Sequence, residues 1–284
     1  MDALAVKRLA ACPAPAKLNE FLHVTGRRAD GYHLLQSVFR LIDLTDSLDF
    51  ELRADGAVRR VNTVPGLAPE DDLVVRAAQA LRAETGCRLG ADITLHKQIP
   101  LGAGLGGGSS DAATTLIALN RLWNTGLSLE RLAAIGLGLG ADVPFFIHGS
   151  DAFVEGIGET LTPVTRPPAH FVVLWPGVSV PTTAIFTAPD LTRNTEPIRI
   201  ADFALRATRN DLQAVACRLY PEVAAAIEWL GQYASARMTG SGACVFAEVD
   251  SARTASDIIA ACPEQWRAWH AASLARHPLR GWLD

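Results

Sequence analysis

An α+β fold in two domains is what this sequence of 284 residues predicts. Three observations carry that prediction. Strand-like and helical segments are mixed along the chain without the regular βαβ alternation of a doubly wound sheet. The length suffices for two domains, each with its own core. Prolines at 163, 167 and 168 interrupt the chain after a hairpin-like stretch and mark a change of domain. The expected domains are 1–164 and 165–284.

The elements can be justified in order. Lys17 to Val24 is strand-like, and alternation puts Lys17 and Asn19 on one face, with Leu18, Glu20, Leu22 and Val24 on the other. Asp30-Gly31 punctuates the chain, and Ser47 to Arg53 reads as a further strand. Asp71 to Ala83 has helical spacing with acidic residues in its first turn. Ala91 to Ile99 alternates as a strand and runs into the segment Pro100-Leu-Gly-Ala-Gly-Leu-Gly-Gly-Gly-Ser-Ser-Asp111. Ser109 to Trp123 is the clearest helix, with the serine pair as candidate caps and Leu116, Leu119 and Trp123 at helical spacing. Ser128 to Leu137 is a second helix capped by Ser128, followed by Leu139-Gly-Ala-Asp-Val-Pro144. Ala152–Glu155 and Glu159–Val164 form a hairpin around Gly156-Ile-Gly158. His170 to Trp175 is a buried-strand pattern, and helices are expected near 181–187, 211–219 and 221–232. Strand-like pieces flank Thr239-Gly-Ser-Gly242, and a helix near 252–262 precedes a tail rich in tryptophan.

Composition limits the function classes. At 49% hydrophobic and 20% charged residues, the chain reads as an ordinary soluble protein, and its net charge of −4 argues against a nucleic-acid partner. Five cysteines, at 12, 87, 217, 244 and 262, show no CxxC pairing, as expected in a reducing compartment. No apolar run approaches the roughly 20 residues that span a bilayer. Leu9-Ala-Ala-Cys12 resembles a lipoprotein cleavage box, but Lys7-Arg8 interrupts the apolar stretch that such a signal needs. A cytoplasmic protein without a membrane partner is expected.

The glycine-serine run carries the chemistry. Glycines let the backbone approach an anion closely, and the start of the following helix adds free N–H donors and a positive dipole end. Three familiar phosphate loops can be tested against it. Walker A needs a Gly-Lys-Ser/Thr ending, which is missing, and the His-Arg-Asp and Asp-Phe-Gly partners of protein-kinase loops are absent too. Gly102, Gly104 and Gly107 match the dinucleotide fingerprint literally, but no second strand ending in an acidic residue follows the helix. A glycine-rich turn without a ligand is the alternative, set against the entropic cost of ordering so dense a run.

Four separated elements coincide: Pro15-Ala-Lys-Leu-Asn19, the glycine-serine loop, Leu139-Gly-Ala-Asp-Val-Pro144 and Thr239-Gly-Ser-Gly-Ala243. Together they resemble the GHMP superfamily of small-molecule kinases. With Arg28-Ala-Asp-Gly-Tyr-His33 added, the chain is most similar to the branch that phosphorylates a CDP-linked sugar alcohol in non-mevalonate isoprenoid biosynthesis. The resemblance spans about Pro15 to Glu248. It implies a two-domain α+β kinase fold with ATP, as co-substrate with Mg²⁺, meeting the substrate in the cleft between domains. The Mg²⁺ ligands and the oligomeric state are not assigned by it.

It also implies roles by residue. Pro100, Gly102, Gly104, Leu105, Gly106, Gly107, Gly108, Ser109 and Ser110 would surround the ATP phosphates, and Lys97 would reach the nucleotide, with a solvated lysine as the alternative. Asp142 is the expected catalytic carboxylate with Lys17 as its partner; the alternative is an Asp capping a turn beside Pro144. A carboxylate is a poor base for an alcohol. Phosphoryl transfer, however, passes through a loose transition state in which the nucleophile loses its proton late, so the carboxylate can orient first and accept afterwards. Tyr32 and Phe186 would cover the two faces of a cytosine, with places in the cores of their own domains as the alternative; His33 would read its edge, and Asn19 would position the substrate. Thr239, Gly240, Ser241 and Gly242 would form a backbone nest, with a tight hairpin as the alternative. Two residues depart from the family pattern: Glu20, where an apolar residue is usual, and Asp72, where asparagine is common.

Overall fold

A computed structural model of the chain describes residues 7–68, 71–202 and 208–283. The α+β expectation holds. Two sheets, each backed by helices, account for the two hydrophobic centres the sequence can build.

The first sheet is dominated by two long antiparallel strands, β1 (Arg8–Arg27) and β2 (His33–Arg53). Sequence reading sees only parts of each, because bulges shift the register between Leu9 and Cys12, Pro15 and Ala16, Asn19 and Leu22, and Val24 and Gly26. Each shift resets the alternation of faces, so no single period-2 pattern runs the length of the strand. β2 also pairs with β4 (Gly90–His96) and β5 (Ala152–Glu155); β3 (Val58–Arg60) runs parallel to β4, and β6 (Thr160–Pro163) closes the far edge. Helices α1 (Leu73–Thr85), α2 (Gly107–Leu122), α3 (Leu129–Leu137) and α4 (Val143–His148) cover one face, and residues such as Phe50, Leu81, Leu116 and Phe145 fill the space between.

The second sheet runs in the order β10 (Arg267–Ala272), β7 (His170–Trp175), β9 (Val245–Val249), β8 (Ala236–Met238), all antiparallel. Helices α5 (Thr182–Phe186), α6 (Gln213–Leu219), α7 (Pro221–Leu230) and α8 (Ala252–Ala260) accompany it and share its core. β10 has no counterpart in the sequence reading, since Arg267-Ala-Trp-His-Ala-Ala lacks the β-branched residues that advertise a strand.

Its other face meets the first sheet in a third apolar cluster, where Leu18 and Ile42 contact Phe171, Val173 and Phe246. That cluster also takes in Ile99, Ala103 and Leu105, so the glycine loop is rooted in the seam between sheets. The chain end returns to the first unit: Leu274 N–H donates to the Leu41 carbonyl, His277 N–H to that of Gly149, and Trp282 stacks on Arg121 at 4.8 Å.

Candidate active site

The glycine loop is fastened from both sides. Its Leu105 carbonyl accepts from Lys17 N–H at 3.0 Å, while Ala103 and Gly102 accept from Cys244 at 3.1 Å and Val180 at 3.4 Å. With these carbonyls engaged, α2 begins at Gly107 and leaves its first N–H groups without intrahelical partners. Gly106 stands at the helix cap with φ 72° and offers no side-chain cap. The sequence expectation that Ser109 and Ser110 cap the helix is therefore corrected: both lie inside its first turns. Gly104 permits the closest approach of the two glycine elements, because a Cβ there would collide with the Thr239 carbonyl oxygen.

These elements border a cavity of about 440 Å³ lined by Lys17, Asn19, Lys97, Asp142, Gly240 and Ser241. Pro100, Gly102, Gly104, Leu105, Gly106, Gly107, Gly108 and Ser109 line it too. Ser110 is not brought to it; it is fully buried, and its hydroxyl has no protein partner. Thr239 and Gly242 sit behind the lining, and the Thr239 hydroxyl accepts from Asn19 N–H at 3.0 Å.

Lys17 and Asp142 meet on the floor. Lys17 Nζ lies 3.8 Å from Asp142 Oδ2, donates to Asn19 Oδ1, and faces the Phe39 ring at 4.6 Å. Asn19 is fixed in turn by donating from Nδ2 to Ser37 Oγ at 2.9 Å. Burial pulls the Lys17 pKa below the ordinary lysine value, while Asp142 pulls it back up. Asp142 precedes α4 but its carboxylate makes no cap bond, so the turn-capping alternative fails and the group is left for the cavity.

Lys97 is not solvated. Its ammonium bridges two buried carboxylates, Asp46 and Asp111, the latter at 2.8 Å. Asp111 Oδ1 has no hydrogen-bond partner. Burial, reinforced by Asp46 and opposed by Lys97, pushes Asp111 up to about 7. Burial lowers the Lys97 pKa, but Asp111 and Asp46 outweigh it and leave the value raised. Asp46 and Asp111 were invisible as site residues because nothing in the sequence pairs them with a lysine; only the meeting of β2 with α2 does.

A second lobe of about 600 Å³ opens from the first, lined by Tyr32, His33, Thr182, Phe186, Arg27 and Arg193. The two lobes share Leu35, Ile157, Thr182 and Phe186, so they form one cleft. Tyr32 is 61% exposed, which removes it from any core. Phe186 packs, partly buried, against the core of the second sheet, and His33 stacks on it, with centroids 4.9 Å apart and planes 29° from parallel. Arg193, unnoticed in an aperiodic loop, donates from Nε to His33 Nε2 at 3.1 Å.

Of the two departures, Asp72 caps α1 by accepting from Val74 N–H at 3.0 Å and pairs with Arg60 at 2.5 Å. Glu20 pairs with Arg40 at 3.0 Å and Arg166 at 3.2 Å.

Comparison with known proteins agrees with this arrangement. The GHMP kinases N terminal domain matches residues 72–150, and GHMP kinases C terminal matches 190–268. A 4-diphosphocytidyl-2-C-methyl-D-erythritol kinase of Aromatoleum aromaticum is 65% identical over 283 residues, covering 100% of both chains. One from Azoarcus sp. (strain BH72) is 67% identical over 276 residues, 97% of this chain and 98% of the other. A crystal structure of 4-(cytidine 5'-diphospho)-2C-methyl-D-erythritol kinase superposes with a TM-score of 0.78 at 33% identity, covering 94% of this chain and 98% of that one. Identity of this order along the whole length, on a cleft built this way, means that the chain belongs to the 4-diphosphocytidyl-2-C-methyl-D-erythritol kinase family of GHMP kinases.

Proposed function

We infer that this protein transfers the γ-phosphoryl group of ATP to a hydroxyl of 4-diphosphocytidyl-2-C-methyl-D-erythritol. The products are the 2-phosphate and ADP, and the step belongs to non-mevalonate isoprenoid precursor biosynthesis. The observation that carries the reading is the position of the Lys17–Asp142 pair on the floor of the glycine-loop lobe, which opens directly into the aromatic lobe. ATP phosphates lie along the glycine loop, where free amides and the α2 dipole favour anions. The cytosine lies in the lobe of Tyr32, His33 and Phe186, with the polyol between.

Asp142 orients the acceptor hydroxyl and takes its proton late in the transfer. Lys17 stabilises charge on the transferring phosphoryl group. Asn19 holds the lysine in place through its carboxamide oxygen, and Thr239 holds Asn19. Lys97, tied to Asp46 and Asp111, sets the charge beside the nucleotide.

Mg²⁺ belongs with the nucleotide. Among the described residues no group of three or more His, Cys, Asp or Glu side chains is placed to hold a metal ion. Mg²⁺ typically binds through one or two protein oxygens, substrate phosphates and water, which this site can supply. Ser109 and Asp142 are the fitting donors: both line the cavity, and the Ser109 hydroxyl reaches toward Gly140 in the loop that carries Asp142. When bound, the ion offsets phosphate charge.

The chain acts in the cytoplasm by this reading, which its unpaired cysteines support. No helix among the described residues is long and apolar enough to cross a membrane. A coupled ADP-release assay with Mg-ATP tests the function, run with 4-diphosphocytidyl-2-C-methyl-D-erythritol beside mevalonate and homoserine. Turnover with the cytidine substrate alone is expected. Turnover with another alcohol instead would overturn the specificity while leaving the phosphoryl-transfer site.

A further inference from the structure

We propose that Arg193 sets the pyrimidine specificity of the cleft by fixing which ring nitrogen of His33 carries the proton. This rests on the reading above, in which the lobe of His33 and Phe186 takes the base of the substrate. A guanidinium is charged at all relevant pH values and has no lone pair with which to accept. Arg193 Nε lies 3.1 Å from His33 Nε2. That ring nitrogen must be the acceptor, so His33 is neutral with its proton on Nδ1.

The arginine cannot readily turn away. Its Nη1 donates to the Leu191 carbonyl at 3.0 Å, and its Nη2 donates to the carbonyls of Phe186 at 2.9 Å and Ala188 at 2.7 Å. One side chain therefore seats both the end of α5, which carries Phe186, and the imidazole stacked upon it. Burial, with Arg193 and Arg27 adding to it, holds the His33 pKa below the ordinary histidine value. The neutral form thus persists through the neutral range.

His33 Nδ1–H has no protein acceptor among the described residues, which leaves it a donor for the ligand. Cytosine carries a lone pair on N3 and uracil a hydrogen. A fixed donor is complementary to the first and leaves two hydrogens opposed with the second. The other tautomer would present a lone pair and reverse the preference. Arg193 is thus a positioning residue that acts through His33.

The test uses the full-length protein, with Arg193→Met and Arg193→Lys. Nitrogen-15 spectra of labelled histidine report the tautomer, and calorimetry reports binding of CMP and UMP. Kinetics with CDP- and UDP-linked methylerythritol report the consequence. The wild type is expected to show His33 as Nδ1–H and to bind CMP about tenfold tighter than UMP. In Arg193→Met the tautomers mix, the CMP-to-UMP ratio falls about fivefold, and KM rises while kcat stays within about twofold. Arg193→Lys, which keeps a donor, retains most of the ratio.

A wild-type His33 protonated on Nε2 overturns the proposal, and that measurement needs no variant to fold. Equal weakening of CMP and UMP in Arg193→Met also overturns it, because a purely structural staple would act on both alike. Wild-type turnover of the cytidine substrate with an unchanged ratio in the variant removes only the role of Arg193. Absence of that turnover in the wild type removes the function beneath it.

Discussion

Lys17 is a buried cation whose charge depends on three neighbours: the Asp142 carboxylate, the Asn19 carboxamide oxygen and the face of Phe39. Two predictions belong at this scale. On the mechanism proposed above, Asp142→Asn removes the group that orients and deprotonates the acceptor, so kcat should fall by roughly 10²–10⁴ while affinity for ATP without Mg²⁺, measured by calorimetry, is unchanged. Undiminished turnover would take Asp142 out of the mechanism. The second concerns pH. In the proposed mechanism transfer needs Lys17 protonated, and burial lowers its pKa, so kcat/KM should fall on the alkaline side below the ordinary lysine value of 10.5. Lys17→Arg, whose charge does not titrate in this range, should move that limb upward even if the rate is reduced. A limb that stays in place would assign it to another group. Lys17 and Asp142, which the fold brings within 3.8 Å of each other, could be singled out in the sequence because each is the one charged residue of a short motif, Pro15-Ala-Lys-Leu-Asn19 and Leu139-Gly-Ala-Asp-Val-Pro144. Arg193 carried no such signal: it stands alone in a loop without period, and only folding brings it to His33.

At the scale of elements, β2 and α2 meet through Asp46, Lys97 and Asp111, two carboxylates sharing one ammonium beside the glycine loop. Asp111 is pushed up to about 7, first by burial and then by Asp46. A carboxyl whose folded pKa lies above its unfolded value favours the folded state most below the unfolded value. That contribution is lost as pH rises through about 7. Asp111→Asn cannot ionise and should lack this decline. Its urea midpoint should therefore gain on the wild type between about pH 4 and pH 8, and parallel curves would show that Asp111 is not the titrating group. The same junction explains how far the sequence could be read. Ser128 as the cap of α3 and Ala152–Glu155 as a strand were legible because local chemistry decides them. The lengths of β1 and β2 were not, since bulges break their alternation, nor was β10, a strand held in place by pairing with β7. α2 starts at Gly107, earlier than its serines suggest, because the carbonyl of Gly106 is already the acceptor for Ser110 N–H.

Across the whole molecule, Arg40 ties the two sheets together. It sits on β2 opposite Leu18, one ladder position from Lys17, with its side chain 2% exposed. It reaches Glu20 on β1 at 3.0 Å, Asp151 before β5 at 3.2 Å, the Pro167 carbonyl in the connection between sheets, and the Phe171 ring on β7 at 5.6 Å. Glu20 also accepts from Arg166, and its backbone carbonyl accepts from Arg237 on β8. The departure at Glu20 is thus answered by cations from the first sheet and from the connection to the second. Burial raises the Asp151 pKa, against the pull of Leu41 N–H and Arg40, so this carboxylate depends on its arginine. Arg40→Met would leave the buried Asp151 without its counter-charge and the half-buried Glu20 with Arg166 alone, and should cost about 3–5 kcal/mol in denaturant unfolding. Glu20→Leu alone removes one partner but leaves Arg40 with Asp151 and Pro167, a smaller loss of about 1–3 kcal/mol. In the double variant Glu20 no longer needs neutralising, so the loss should fall short of the sum by about 0.5–3 kcal/mol. kcat should change little in all three, since none of these side chains touches Lys17 or Asp142. Strict additivity would mean that Glu20 and Arg40 act independently, and that the ion pair between them adds nothing to the seam between the sheets.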